Sequence, residues 1–219
     1  MKLERVEIAG RRHYITPIGN LPSVTTVLKE TQSERDRSGL AFWRRKVGNA
    51  EADRVQVDSA ARGSRLHAMI ETYLKEGPEG SGPWWDSVAS VVRSVDRSRP
   101  YSIEESVYSP LGYAGSYDLI GYAGDYELLS DWKSARKRKK RAYIKDHEQQ
   151  AAAYAGCVNA TRKAENPDAP LIQRAAIVVA YEDGPADVFD LDAAQLKAAW
   201  KEFRGRLGTY QVRFGKVVK

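Results

Sequence analysis

Residues 113–133 read Tyr-Ala-Gly-Ser-Tyr-Asp-Leu-Ile-Gly-Tyr-Ala-Gly-Asp-Tyr-Glu-Leu-Leu-Ser-Asp-Trp-Lys. Aromatic and branched residues flank Ala123-Gly124-Asp125-Tyr126, and Gly suits the first central position of a type II′ turn, so the stretch predicts a tight β-hairpin. With Gly124 and Asp125 as the turn, Ala123 pairs with Tyr126, and counting outward sets Asp118 opposite Asp131. Opposed side chains on antiparallel strands lie about 4.5–5.5 Å apart, and two like charges there repel unless something positive lies between them. Lys133 projects from the same face as Asp131, because strand side chains repeat every second residue. Two carboxylates and an ammonium therefore converge. Hard oxygen ligands of this kind suit Mg²⁺ or Mn²⁺, with the lysine placed to orient or deprotonate an attacking water. A solvated edge-strand ion pair explains Asp131 and Lys133 equally well on the hairpin alone, and Asp125–Glu127 and Asp146–Glu148 show how common the related Asp-x-Glu spacing is.

Outward from the hairpin, the chain bounds its own class. Its 219 residues suffice for one substantial core. The net charge of +6 and a pI near 9.3 favour a polyanionic partner. The single cysteine, Cys157, excludes internal disulfides, a cysteine-based zinc site and a four-cysteine iron–sulfur cluster. No apolar run is long enough to span a bilayer, and residues 1–7 have neither a signal nor a transit-peptide pattern, so a reducing, cytoplasmic setting (bacterial or phage-infected) is expected.

Upstream, Val6–Ile8 and His13–Thr16 flank a turn and predict a short hairpin. Ser23 suits the N-cap of a helix through Leu28; the hydroxyls of Ser23, Thr25 and Thr26 either cap and pack that helix or face a phosphate backbone. Residues 38–47 form an amphipathic basic helix in which Trp43 is expected to be core. In the helix over 60–74, His67 and Glu71 form an i, i+4 pair, which makes His67 either a bonded structural histidine or a ligand, with Glu71 behind it. A helix over 84–95 and a strand over 102–108 precede the hairpin, and Glu105 on that strand is a further ligand or an ordinary strand residue.

Downstream, Arg136-Lys137-Arg138-Lys139-Lys140-Arg141 is an import-like tag, a solvated segment or a binding patch; its place beside Lys133 favours a loop that tracks a nucleic-acid backbone. A helix over 146–161 sets Gln150 and Tyr154 one turn apart, fit to hold a phosphate or position the lysine, or merely to pack. A strand over 174–181 and a helix over 191–212 complete the chain.

Helix, three antiparallel strands, helix, strand is the order of the PD-(D/E)XK nuclease core, and the motifs resemble its RecB-like exonuclease branch. Arg62–Glu71 looks like that branch's Gly-x-x-x-His-x-x-x-Glu helix, Tyr113–Asp118 like its Gly-x-x-Asp strand, Asp131-Trp132-Lys133 like Asp-x-Lys, and Gln150–Tyr154 like its Gln-x-x-x-Tyr helix. Leu21–Leu28 is similar to the N-terminal segment of the exonuclease family that maintains mitochondrial genomes and of its phage relatives. The resemblance implies an α/β, restriction-endonuclease-like core: a central mixed sheet flanked by helices, with an N-terminal helical elaboration. It implies one nuclease domain over 1–219, with the hairpin and helices over 1–59, the core over 60–181 and the last helix over 191–212. It implies metal ligation by His67, Asp118, Asp131 and the Trp132 carbonyl, Lys133 as the catalytic lysine, and Gln150 and Tyr154 in support. The expected activity is a Mg²⁺- or Mn²⁺-dependent DNA exonuclease without an iron–sulfur cluster, favouring single-stranded ends, in replication, recombination, repair or phage DNA metabolism. A structure-specific endonuclease and an inactive nucleic-acid-binding module are the rivals.

Overall fold

The computed structural model describes residues 2–215. Its centre is a five-stranded sheet in the order β4-β5-β6-β7-β8. The expected hairpin is its middle: β5 (Tyr113–Ala123) and β6 (Tyr126–Ser134) run antiparallel with Ala123 opposite Tyr126. Gly124 carries the positive φ of +60° that a type II′ turn demands at this position, and Asp125 does not share it. β4 (Ser102–Ser109) flanks β5, β7 (Ala175–Ala180) runs parallel to β6, and β8 (Asp187–Leu191) closes the far edge antiparallel. The sheet is mixed because residues 145–165, the helix α5 (Lys145–Glu165), carry the chain back between β6 and β7.

Each face of the sheet is covered. α3 (Asn49–Glu76) and α4 (Pro83–Arg93) press Leu66, Ile70, Leu74, Trp85 and Val88 against Leu119, Trp132 and Val178. α5 and α6 (Ala193–Phe214) cover the other face, where Tyr113, Ile120, Leu129 and Ile177 meet Ala152, Phe203 and Leu207. Large side chains buried this fully each contribute about 1.5–3 kcal/mol. α6 begins at a capping box, in which Asp192 and Gln195 exchange side-chain-to-backbone bonds. Among the described residues, no helix is long and apolar enough to cross a membrane.

The amino-terminal part departs from the sequence reading in detail. The expected hairpin, β1 (Arg5–Ile8) and β2 (Arg11–Thr16), gains a third strand, β3 (Gly19–Pro22), as a separate small sheet. Ser23 does cap α1 (Val24–Glu30), accepting from the Thr26 backbone at 2.9 Å. α2 (Glu34–Val47) buries none of its residues, so Trp43 is half-buried rather than core, and Leu40 and Phe42 are exposed. Period 3.6 told which face of α2 was apolar; it did not tell whether anything covered that face. β8 escaped the sequence reading because Asp-Val-Phe-Asp-Leu is short and lies between Pro185 and the cap of α6.

One glycine of the hairpin is explained by the opposite helix. A Cβ on Gly115 would lie 2.3 Å from Cε1 of Tyr154, a ring only 3 % exposed. Gly115→Ala is therefore expected to cost about 2–3 kcal/mol through overpacking, read as a denaturant midpoint shift at constant slope. A loss below about 0.5 kcal/mol, the size of an ordinary surface substitution, would contradict the close approach.

Candidate metal centre

The two inner strands part company where the chemistry lies. The β5–β6 pairing runs from Ala123↔Tyr126 to Leu119↔Ser130, one residue short of Asp118 and Asp131. The Asp118 carboxylate takes over the ladder's work there: Trp132 N–H donates to its Oδ2 at 2.7 Å. On the other side of β5, pairing with β4 is intact at Ile103↔Leu119 and Glu105↔Tyr117 but skips Glu104, which holds a φ of +52°. A non-glycine residue in the left-handed region costs about 1–2 kcal/mol, and such outliers cluster at functional sites.

That kink is what the sequence could not show. Alternation along β4 offered Glu105 as a ligand, yet Glu105 is exposed and accepts from Tyr117 OH at 3.4 Å. Glu104 is the glutamate that turns inward, and ligand atoms of His67, Glu104 and Asp118 all lie within 4.8 Å of one another. His67 reaches this point from α3. Its Nδ1 is 2.9 Å from Glu104 Oε1 and 3.7 Å from Asp118 Oδ1, and its Nε2 is 3.0 Å from the Trp132 carbonyl. The expected His67–Glu71 pair does not form, because Glu71 pairs with Lys75 one turn on, at 2.5 Å.

Both ring nitrogens of His67 face oxygen acceptors, so both donate and the ring is held as an imidazolium. Burial works against that charge, but the Glu104 hydrogen bond and the Asp118 charge outweigh it and raise the pKa to about 9. Asp118 is pushed up by burial, opposed by the Lys133 ammonium, with the Asp131 charge adding to the rise.

Asp131 is 0 % exposed, and its Oδ1 has no hydrogen-bond partner among the described residues. Its Oδ2 lies 2.6 Å from Lys133 Nζ, close enough for an ion pair but off the line of a hydrogen bond. Burial would lower the lysine's pKa, yet Asp131 and Asp118 more than offset it and keep the amine protonated. A buried carboxylate with an idle oxygen, beside three donors of imidazole and carboxylate type, fits a hard divalent cation. His67, Glu104, Asp118 and the Trp132 carbonyl are the groups that would hold one; Asp131, expected among the ligands, falls outside that cluster and acts on it through its charge at Asp118.

Gln150 Nε2 donates to Tyr154 OH at 3.1 Å, the one-turn pair expected on α5. Tyr154 is buried and its pKa is raised well above the phenol range by burial. The sequence reading passed over His147, one turn before Gln150 on the same helix. Burial, then the Lys133 ammonium, lowers its pKa, so a neutral imidazole faces the Asp131–Lys133 pair. The i, i+3 spacing to Gln150 was the available signal.

The basic run is half spent within the chain. Arg136 meets Asp58 at 3.4 Å, Arg138 meets Asp187 at 3.1 Å and lies over the Tyr181 ring, and Arg141 meets Glu148 at 2.9 Å. Lys137, Lys139 and Lys140 are exposed. Ser23 and Thr26 are buried and bond each other and the Arg12 carbonyl, which leaves Thr25 as the half-exposed hydroxyl of the three.

No family model matches the chain. It is 28 % identical to mitochondrial genome maintenance exonuclease 1 of Xenopus tropicalis over 94 % of its own length and 61 % of the relative's. To the human protein of that name it is 27 % identical, over 87 % of this chain and 58 % of the other. The chain thus spans about three-fifths of the length of these relatives. Among solved structures it is similar to a putative exonuclease from Eubacterium rectale, at a TM-score of 0.43 and 9 % identity, over 70 % of this chain and 68 % of that one. It is also similar to an alkaline exonuclease from Laribacter hongkongensis, at a TM-score of 0.30 and 14 % identity, over 71 % and 86 %. The chain is thus similar in sequence to proteins named exonucleases, and its mixed sheet flanked by helices is an α/β fold.

Proposed function

We propose that this chain, as one nuclease domain, is a Mg²⁺- or Mn²⁺-dependent exonuclease that hydrolyses phosphodiester bonds of DNA, preferring single-stranded ends. The observation that carries the reading is the cluster of His67, Glu104 and Asp118, with Asp131, a fully buried carboxylate with an unpartnered oxygen beside a protonated lysine, acting on Asp118 by its charge. A bound divalent cation supplies Lewis-acid stabilisation of the charge that develops on phosphate oxygens. The chain's own groups do the rest. Glu104 and Asp118 present carboxylate oxygens across the fork between strands, and Trp132 N–H fixes the Asp118 carboxylate in place. His67 must give up a ring proton to act as a ligand, and the acceptors around it keep the ring oriented. Lys133 keeps its proton next to Asp131, which suits it to orient the attacking water and to meet charge on the non-bridging phosphate oxygens rather than to serve as the resting base. Tyr154 and Gln150 brace the strand that carries Asp118 from the α5 side, through the ring contact at Gly115.

The curated relatives are named exonucleases, which supports an attack from ends rather than internal cutting. No contact to base edges is needed for this chemistry, so little sequence preference and a steep salt dependence are expected. The reading is tested by digesting end-labelled single- and double-stranded DNA and covalently closed circles, with Mg²⁺, with Mn²⁺ and with EDTA. Release of mononucleotides or short oligonucleotides from linear single strands, with circles intact, is the expected result. Internal cuts in the circles would favour a structure-specific endonuclease, and tight metal-independent binding with no cleavage would favour the inactive binding module.

A further inference from the structure

Two rungs join α3 to β6: the His67 ring on the Trp132 carbonyl, and Arg62 on Ser134, whose Oγ accepts from Arg62 Nε at 3.1 Å. Arg62 is 7 % exposed, yet no carboxylate pairs with it among the described residues. Its partners are hydroxyls, Ser134 through Nε and Ser59 through Nη2 at 3.3 Å, with the guanidinium 4.9 Å over the Trp84 ring. A buried arginine held by two hydroxyls and a ring is poorly compensated, and burying an unpaired charge destabilises the fold. Burial lowers the pKa of Arg62, with Arg136 and Arg65 adding to that, while Asp58 and Glu182 oppose it without pairing with Arg62, and Asp58 is already engaged by Arg136.

The remaining nitrogen shows where the counter-ion would come from. Nη1 has no hydrogen bond among the described residues and is not among the fully buried unpartnered atoms, so it is open to solvent. Nε, Nη2 and the ring fix the plane, and Nη1 is left with donors for a further acceptor. Ser134 lies two residues beyond Trp132, about 6.6 Å along the strand, which is the order of one phosphate-to-phosphate step of an extended single strand.

The geometry points to Arg62 as a phosphate-binding residue that grips the nucleic-acid backbone at a phosphate adjoining the bond held at the metal centre. This rests on the nuclease reading and adds to it a fixed backbone contact that positions the strand. Arginine suits the task because its planar fork can be locked on one edge while it donates from the other.

The test is binding of a fluorescent single-stranded oligonucleotide in EDTA, where nothing is cut, at a series of salt concentrations, for the full chain and its R62M and R62K variants. Each phosphate contact on a single strand contributes about 0.7 to the slope of log affinity against log salt. R62M is expected to lose about tenfold in affinity and to flatten the slope by about 0.7, while its melting temperature holds or rises because a poorly compensated charge has gone. R62K should keep the slope and bind several-fold more weakly than the parent. A parental slope in R62M overturns the inference and leaves the nuclease reading standing. If R62M does not fold, parental affinity in folded R62K overturns it instead. Absence of any binding by the parent chain overturns both.

Discussion

Lys133→Met is expected to abolish DNA cleavage, by about 10³-fold or more, and at the same time to make the metal-free protein markedly less stable. The second effect follows from Asp131. Its carboxylate is 0 % exposed, and the Lys133 ammonium at 2.6 Å is the cation that faces it in the chain. Removing one member of a buried pair leaves the other uncompensated, at about 3–5 kcal/mol, or roughly 10 °C of melting temperature for a chain of this length. Mg²⁺ or Mn²⁺ should restore a larger share of that loss in the variant than it adds to the parent, because a ligand that binds only the folded state stabilises it. Melting curves with and without the ion, beside a digest, check both halves. A variant that loses activity with an unchanged metal-free melting temperature would show that Asp131 is not held by Lys133.

Glu104→Gly should leave stability nearly unchanged while impairing function as Lys133→Met does. Glycine accepts a φ of +52° without the steric cost that glutamate carries there, and the change removes a carboxylate standing next to Asp118. In the metal-free protein the relieved strain, about 1–2 kcal/mol, is offset by the lost hydrogen bond to the His67 imidazolium, so stability is expected to change by less than about 1.5 kcal/mol. Cation affinity should fall by about tenfold or more, and cleavage by about 10²-fold, with the loss partly recovered at high ion concentration. Isothermal titration with Mn²⁺ and denaturant unfolding give the two numbers independently. Unchanged Mn²⁺ affinity would remove Glu104 from the donor set.

These two residues mark the boundary of what the sequence discloses. The hairpin was legible because a glycine that needs positive φ and strands of period two leave local traces, and from its register the relation of Asp118, Asp131 and Lys133 followed. The helix that supplies His67 was legible from its apolar stripe. Glu104 was not, since one left-handed residue shifts which glutamate of Glu104-Glu105 turns inward, and no pattern in Ser-Ile-Glu-Glu-Ser announces it. Nor was the choice His67 makes between Glu71 and Glu104, which depends on how α3 lies across β4 and β6. Trp43 failed for a related reason: periodicity gives the apolar side of α2, but burial depends on how its neighbour lies, and α3, which meets α2 through Arg44 and Asp53, leaves Trp43 only half-buried.

The parallel pairing of β6 with β7 has a consequence for synthesis on the ribosome. By Ser134 the nascent chain already holds every donor of the metal centre, and hairpins close in about 1–10 μs. Residues 175–180, which cap the open side of β6 through Leu129↔Ala175 to Ser134↔Ala180, emerge some forty residues later, about 2–8 s at ordinary translation rates. For those seconds Leu128 and Leu129 sit on an uncapped strand edge. That interval is when the chain is most exposed to misassembly with its neighbours on the same message.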